Sequence, residues 1–92
     1  MSIKKGGDKI VWESGTVVID DIAFLYNAKV YDVGSPNGIK NGRVSKLYVV
    51  KDIGADSWNW SNTIINYDRG WYIRPRTELE KKVLNHILDL YK

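Results

Sequence analysis

A chain of 92 residues with a formal charge of +3 has room for one domain, and 43% hydrophobic with 12% aromatic residues is too apolar for a disordered one. The absence of cysteine excludes disulfides, thiolate catalysis and cysteine-based zinc sites, and fits a reducing compartment. No apolar run reaches the roughly 18 residues that span a bilayer and the start of the chain lacks a signal peptide's apolar core, so a cytoplasmic location is expected.

Residues 1–9 are polar and read as a flexible arm ahead of a single α+β domain over 10–92. Ile10 to Glu13 begins a first strand with Trp12 as its anchor, Ser14-Gly15 is a turn signal, and Thr16 to Ile19 is β-branched throughout, which favours extended chain. After Asp20-Asp21, the segment Ile22 to Asp32 carries the strongest strand pattern. Ile22, Phe24, Tyr26, Ala28 and Val30 alternate onto one face, and that face is expected to look into the core.

Val33 to Gly42, with Gly34, Gly38, Gly42 and Pro36, reads as a hairpin loop needing positive φ angles. No Gly-Lys-Ser/Thr closes it and a strand follows it, so it is neither a phosphate-binding loop nor a dinucleotide fingerprint. Arg43 to Lys51 is the next strand and is expected to pair with the previous one. Leu47 and Val49 share one face; Val44, Tyr48 and Val50 share the other. Asp52 to Asn59 is a loop and Trp60 to Tyr67 a strand. Asp68-Arg69-Gly70 is a turn with Gly70 at positive φ, and Trp71 to Ile73 is extended ahead of Pro75.

Thr77-Glu78-Leu79-Glu80 is a capping box. Leu79, Val83, Leu84, Ile87, Leu88, Leu90 and Tyr91 follow as an apolar stripe at helical spacing, with Glu78 and Lys82 as an outer ion pair. A helix this short needs a surface to dock on. The expected fold is α+β: an antiparallel sheet of four to five strands packed by one C-terminal helix.

Catalytic signatures are weak. His86, the single histidine, falls on the polar side of the helix, and the only adjacent carboxylates, Asp20-Asp21, sit in a turn where they cap backbone amides. No catalytic residue, metal ligand or cofactor is expected, and no enzymatic activity. Rings and cations mix more suggestively. Trp58 and Trp60 fall on one side of an extended segment, and Tyr67, Arg69, Trp71, Tyr72, Arg74 and Arg76 interleave rings with guanidiniums. Arg43 and Lys46 belong to a second basic group. Rings stack on bases and guanidiniums hold phosphates; Trp, Tyr and Arg also dominate protein hot spots. The plainer reading places Trp60, Tyr67 and Trp71 in the core with arginines solvated or laid over rings. The candidate partner- or nucleic-acid-binding residues are Arg43, Lys46, Trp58, Trp60, Arg69, Tyr72, Arg74 and Arg76.

Asn66-Tyr67-Asp68-Arg69-Gly70-Trp71, with Tyr31-Asp32-Val33-Gly34-Ser35, Gly42-Arg43-Val44-Ser45-Lys46-Leu47 and Pro75-Arg76-Thr77, resembles a family of small uncharacterised proteins of Firmicutes and their phages that carry a domain of unknown function. The resemblance runs from Val11 to Lys92. It implies a phage or prophage setting and no established activity, so it assigns no functional residues. The resulting expectation is a non-catalytic binding module, a phage accessory protein that docks on a host or defence protein and inhibits it. The alternative is nucleic-acid or nucleotide binding through the arginine and aromatic surface. No membrane association is expected. Exposed strand edges and spare rings also admit a homodimer.

Overall fold

The computed structural model describes residues 10–92; the arm expected over 1–9 lies outside them. β1 (Ile10–Ile19) runs antiparallel to β2 (Ile22–Tyr31) from Ile10 opposite Tyr31 to Ile19 opposite Ile22. The two-residue connection takes Asp20 and Asp21 into left-handed backbone, φ 53° and 65°. Such a turn matches the twist of the strands it joins.

Ser14-Gly15 is not a turn: β1 passes straight through it. Gly15 lies opposite Tyr26, and a Cβ there would stand 2.8 Å from the ring's Cε2 and Oη. Glycine is needed to admit that ring, not to reverse the chain. Trp12 does not anchor the strand either. It shares a face with Ser14, Thr16 and Val18, opposite to that of the buried Val17, and remains 52% exposed.

β3 (Val44–Lys51), β4 (Thr63–Asp68) and β5 (Trp71–Ile73) complete a meander in the order β1-β2-β3-β4-β5, all antiparallel. Each later pairing contains a bulge. Between β2 and β3, Lys46 faces Lys29 but Val44 faces Val30, which leaves Ser45 as the extra residue. The bulge turns Val44 to the side of Leu47 and Val49, where it is buried, in place of the side expected from strict alternation. Ile64 and Tyr72 are the extra residues of the next two pairings.

The Val33–Gly42 connection contains a short 3-10 turn at Ile39–Asn41. Positive φ falls on Lys40 and Asn41, not on glycine. Gly34 and Gly38 are required by closeness: a Cβ on Gly34 would lie 2.5 Å from the Asn41 carbonyl oxygen, and one on Gly38 would collide with that of Gly42. Tyr67 Oη donates to the Asn37 carbonyl at 2.8 Å and ties the loop to the sheet. At the β4–β5 turn Arg69, φ 56°, takes the left-handed position expected for Gly70; its amide donates to the Ser45 carbonyl at 3.0 Å.

α1 (Glu78–Leu90) begins with the expected capping box. Thr77 Oγ1 accepts from the Glu80 amide at 3.1 Å, and Glu80 Oε1 accepts from the Arg76 and Thr77 amides. Val83, Leu84 and Ile87 pack with Val17, Phe24, Tyr26, Ala28, Leu47, Val49, Ile65 and Tyr67 into one core. Leu90 stays 54% exposed in the last turn, so the stripe ends on Leu88 and Tyr91. Glu78 pairs with Lys81, not Lys82; Lys82 reaches Asp20 in the β1–β2 turn at 3.5 Å. The result is two layers, one helix on one face of a five-stranded sheet.

The two edges differ. β5 has three residues, a bulge and Pro75 shortly beyond; β1 has ten residues with no proline and one charge, Glu13.

Candidate functional site

Among the described residues α1 covers a single face of the sheet, and no helix covers the other face. Its side chains form cross-strand rows: Trp12, Lys29, Lys46 and Asp68; then Ser14, Asn27, Tyr48, Asn66 and Ile73; then Thr16, Leu25, Val50 and Thr63. Successive rows are about 6.8 Å apart along the strands. The segment after β3 folds back toward this face, so Trp58, Asn59 and Trp60 line a groove of about 320 Å³ together with Asn27, Tyr48, Thr63 and Asn66.

Hydrogen bonds hold this returning segment. Ser57 Oγ accepts from the Ile53 amide at 2.8 Å and donates to the Gly54 carbonyl at 2.7 Å. Asn59 caps the 3-10 turn Trp60–Asn62 by accepting from the Asn62 amide at 3.0 Å, and its Nδ2 donates to the Asp56 carbonyl at 2.6 Å. Asn62 Nδ2 bridges the Lys51 and Ser57 carbonyls at 2.7 and 2.8 Å. Here the sequence expectation fails. Trp60 is not in a strand and not in the core; it is 69% exposed, because Asn59, whose Oδ1 also accepts from Ser61 Oγ, offers the backbone local side-chain bonds in place of a ladder. Trp58, at 52%, is its neighbour along the groove. Asn59, three residues before Asn62 and followed by Trp-Ser, was the available sequence signal for this turn.

The groove contains an unsatisfied group. Asn66 is 8% exposed, and its Oδ1 is buried without a hydrogen-bond partner. Asn27 Oδ1, by contrast, accepts from Ser14 Oγ at 3.3 Å. In the adjoining row Lys29 lies directly opposite Lys46, an unfavourable like-charge pairing. One carboxylate answers it: Asp68 stands 3.6 Å from Lys46 Nζ and 3.7 Å from Arg69 Nε. These are ion-pair distances beyond hydrogen-bond length, and Asp68 Oδ1 is itself a buried acceptor without a partner. Among the described residues this cluster of three cations and one anion carries an excess of two positive charges.

The eight candidate residues therefore divide into three groups. Trp58, Trp60, Lys46 and Arg69 belong to the helix-free face and its rim. Tyr72, Arg74 and Arg76 lie along the β5 edge beside a shallow cleft of about 380 Å³ that includes Trp71 and Ile73. There Arg74 rests 5.3 Å from the Trp71 ring centroid, and Trp71 meets Tyr67 edge-on at 4.9 Å. Arg43 is elsewhere: its Nε donates to the Tyr31 carbonyl at 2.8 Å and its Nη1 to the Lys92 carbonyl at 3.0 Å. It clasps the end of the helix to β2, beside a cavity of about 840 Å³ lined by Val33, Ile39, Leu88 and Tyr91 among others. Composition did not single out Asn27, Lys29, Tyr48 and Asn66; their link to the tryptophans exists only through strand register.

Burial, then a hydrogen bond with Tyr26 Oη at 2.7 Å, pushes the Tyr91 hydroxyl well above the usual phenol range. His86 is exposed on α1. Among the described residues no group of three or more His, Cys, Asp or Glu side chains could hold a metal ion, and no helix is long and apolar enough to cross a membrane.

An antiparallel meander with one helix on one side and rings, amides and cations on the other defines the class: a small two-layer α+β domain with an open sheet face. The chain belongs to the family described as a domain of unknown function, DUF7678, whose match covers residues 11–92. No curated protein and no solved structure matches the chain.

Proposed function

We propose that this domain is a non-catalytic binding module whose ligand lies on the helix-free face of the sheet. One observation carries the reading: α1 buries a single face, while the opposite side keeps Trp12 and Val18 on β1 and Trp58 and Trp60 on the returning segment more than half exposed. Large rings held out by a network of backbone hydrogen bonds are suited to a partner, because little ordering entropy remains to be lost on contact. The groups beside them are amides, hydroxyls and ammoniums, which bind and orient.

The resemblance at Asn66–Trp71 supports a phage or prophage accessory role in the host cytosol. The rings alone would suit a host or defence protein, inhibited when its surface is covered. The orphaned amide and the opposed lysines beside the rings suit a nucleic-acid strand better.

The test compares surfaces. Tagged protein is used to retrieve ligands from host lysate in parallel with the double variant Trp58→Ala, Trp60→Ala and with His86→Ala on the exposed side of the helix. Loss of the same ligand by the first variant and its retention by the second is expected. A ligand kept by the tryptophan variant and lost with His86→Ala would refute the reading.

A further inference from the structure

We infer that the groove beneath Trp58 and Trp60 receives a base of single-stranded nucleic acid, with the adjoining phosphate held at Lys29 and Lys46. The inference rests on the helix-free face being the binding surface and adds the ligand class. Three observations converge on it.

The first is shape. A volume of about 320 Å³ with two exposed indoles and the Tyr48 ring along it admits one flat ring, not a duplex. Base–aromatic stacking is tolerant of sequence, because every base has a π-face. The second is Asn66, which is more than nine-tenths buried, lines that space and carries an Oδ1 with no hydrogen-bond partner. A buried acceptor left without a donor is costly, and it recovers a bond from a ligand N–H. Exocyclic amines and ring N–H groups on base edges supply such donors, and a side-chain amide is a standard reader of them.

The third is charge. Lys29 and Lys46 are directly opposed one row from Asn27 and Tyr48, and among the described residues Asp68 is the carboxylate that pairs with Lys46 and Arg69. One row is about 6.8 Å, comparable to the reach of a nucleotide from base to phosphate. A phosphate at that row relieves the like-charge opposition, which a neutral ligand would not do. The uncharged groove with a cationic margin thus matches a strand whose bases are neutral and whose backbone is anionic.

The test uses the full chain and fluorescein-labelled 12-mers of dA, dC, dT and dG-containing mixed sequence, with duplex of the same length, read by anisotropy. Single strands are expected to bind more tightly than duplex. Affinity should fall by about tenfold to fortyfold between 50 and 300 mM salt if two or three phosphates are contacted. The double variant Trp58→Ala, Trp60→Ala should lose at least tenfold at both salts; Lys29→Gln with Lys46→Gln should flatten the salt dependence. Asn66→Leu, which keeps the branched shape and removes the amide, should reduce differences among bases while leaving salt dependence intact. Far-UV circular dichroism and urea midpoints check that each variant is folded, and Trp58 and Trp60 are exposed enough that their removal leaves the core untouched.

Duplex binding at least as tight as single-strand binding would overturn the inference. So would single-strand binding that survives loss of both tryptophans and disappears with Arg74→Gln, Arg76→Gln. Absence of oligonucleotide binding at 50 mM salt overturns the ligand class. In that event a protein ligand lost with the tryptophan variant keeps the face as the binding surface, whereas a ligand indifferent to it removes both readings.

Discussion

Replacing Gly15 with alanine adds a methyl group where the Tyr26 ring already stands, 2.8 Å from Cε2 and Oη and 2.9 Å from Cζ. Tyr26 is 6% exposed, its hydroxyl is bonded to that of Tyr91 at 2.7 Å, and the two rings meet edge-on at 6.2 Å. The ring has to move. Overpacking of this kind costs about 1–3 kcal/mol, and losing the Tyr26–Tyr91 bond about 0.5–1.5 kcal/mol. The gain from removing a strand glycine returns about 0.5–1 kcal/mol. A net loss of about 0.5–4 kcal/mol follows, and for a domain of this length a mid-range ~2 kcal/mol lowers Tm by about 8–16 °C. Urea unfolding followed by circular dichroism measures it, with Tyr26→Leu as background. In that background the ring is gone and Gly15→Ala should be neutral or stabilising. A Gly15→Ala variant more stable than the natural chain, as an unobstructed strand or a dispensable turn would give, refutes the reasoning.

Tyr91 provides a pH signature. Its folded pKa is raised above the ordinary 10.0, so the stability it contributes is fully present below pH 10 and is lost as pH rises above it. Urea midpoints of the natural chain should therefore fall more steeply above pH 10 than those of Tyr91→Phe; identical slopes would contradict it. Arg69 holds left-handed backbone, which costs a non-glycine residue about 1–2 kcal/mol, so Arg69→Gly should be neutral or stabilising by up to ~1 kcal/mol after glycine's entropy cost. Thr77→Ala removes the helix cap and should cost about 0.5–2 kcal/mol in urea unfolding. Asn62→Ala breaks both carbonyl bridges of the returning segment. It should increase acrylamide quenching of tryptophan fluorescence and weaken ligand binding, with a small change in global stability.

The elements most legible in the sequence were those with a local period. The Phe24–Val30 alternation and the Thr77 capping box needed no partner to be read, and both are as expected. Glycine was the least reliable guide. At Gly15, Gly34 and Gly38 the requirement comes from atoms distant in the chain or across the loop, so local turn rules misassign it. Trp60 misled for a related reason: an aromatic residue shortly before Thr-Ile-Ile looks like strand, yet the cap that Asn59 makes to the Asn62 amide outcompetes the ladder for three residues. The helix-free face was half visible. Its tryptophans and Lys46 stood out by residue type, whereas Lys29, Tyr48 and Asn66 join them only after a bulge and two pairings set the register.

The unequal margins of the sheet bear on how copies of the chain can meet. β5 is too short and too kinked to template a new strand, while β1 is an edge strand of ten residues. Growth from one side only is self-limiting: two molecules joining β1 to β1 across a twofold axis consume the one long margin that the described residues of each present, and a continuous ribbon would need a second. Light scattering across a concentration series should accordingly plateau at twice the chain mass or below, and a mass that keeps climbing would place the adhesive surface elsewhere.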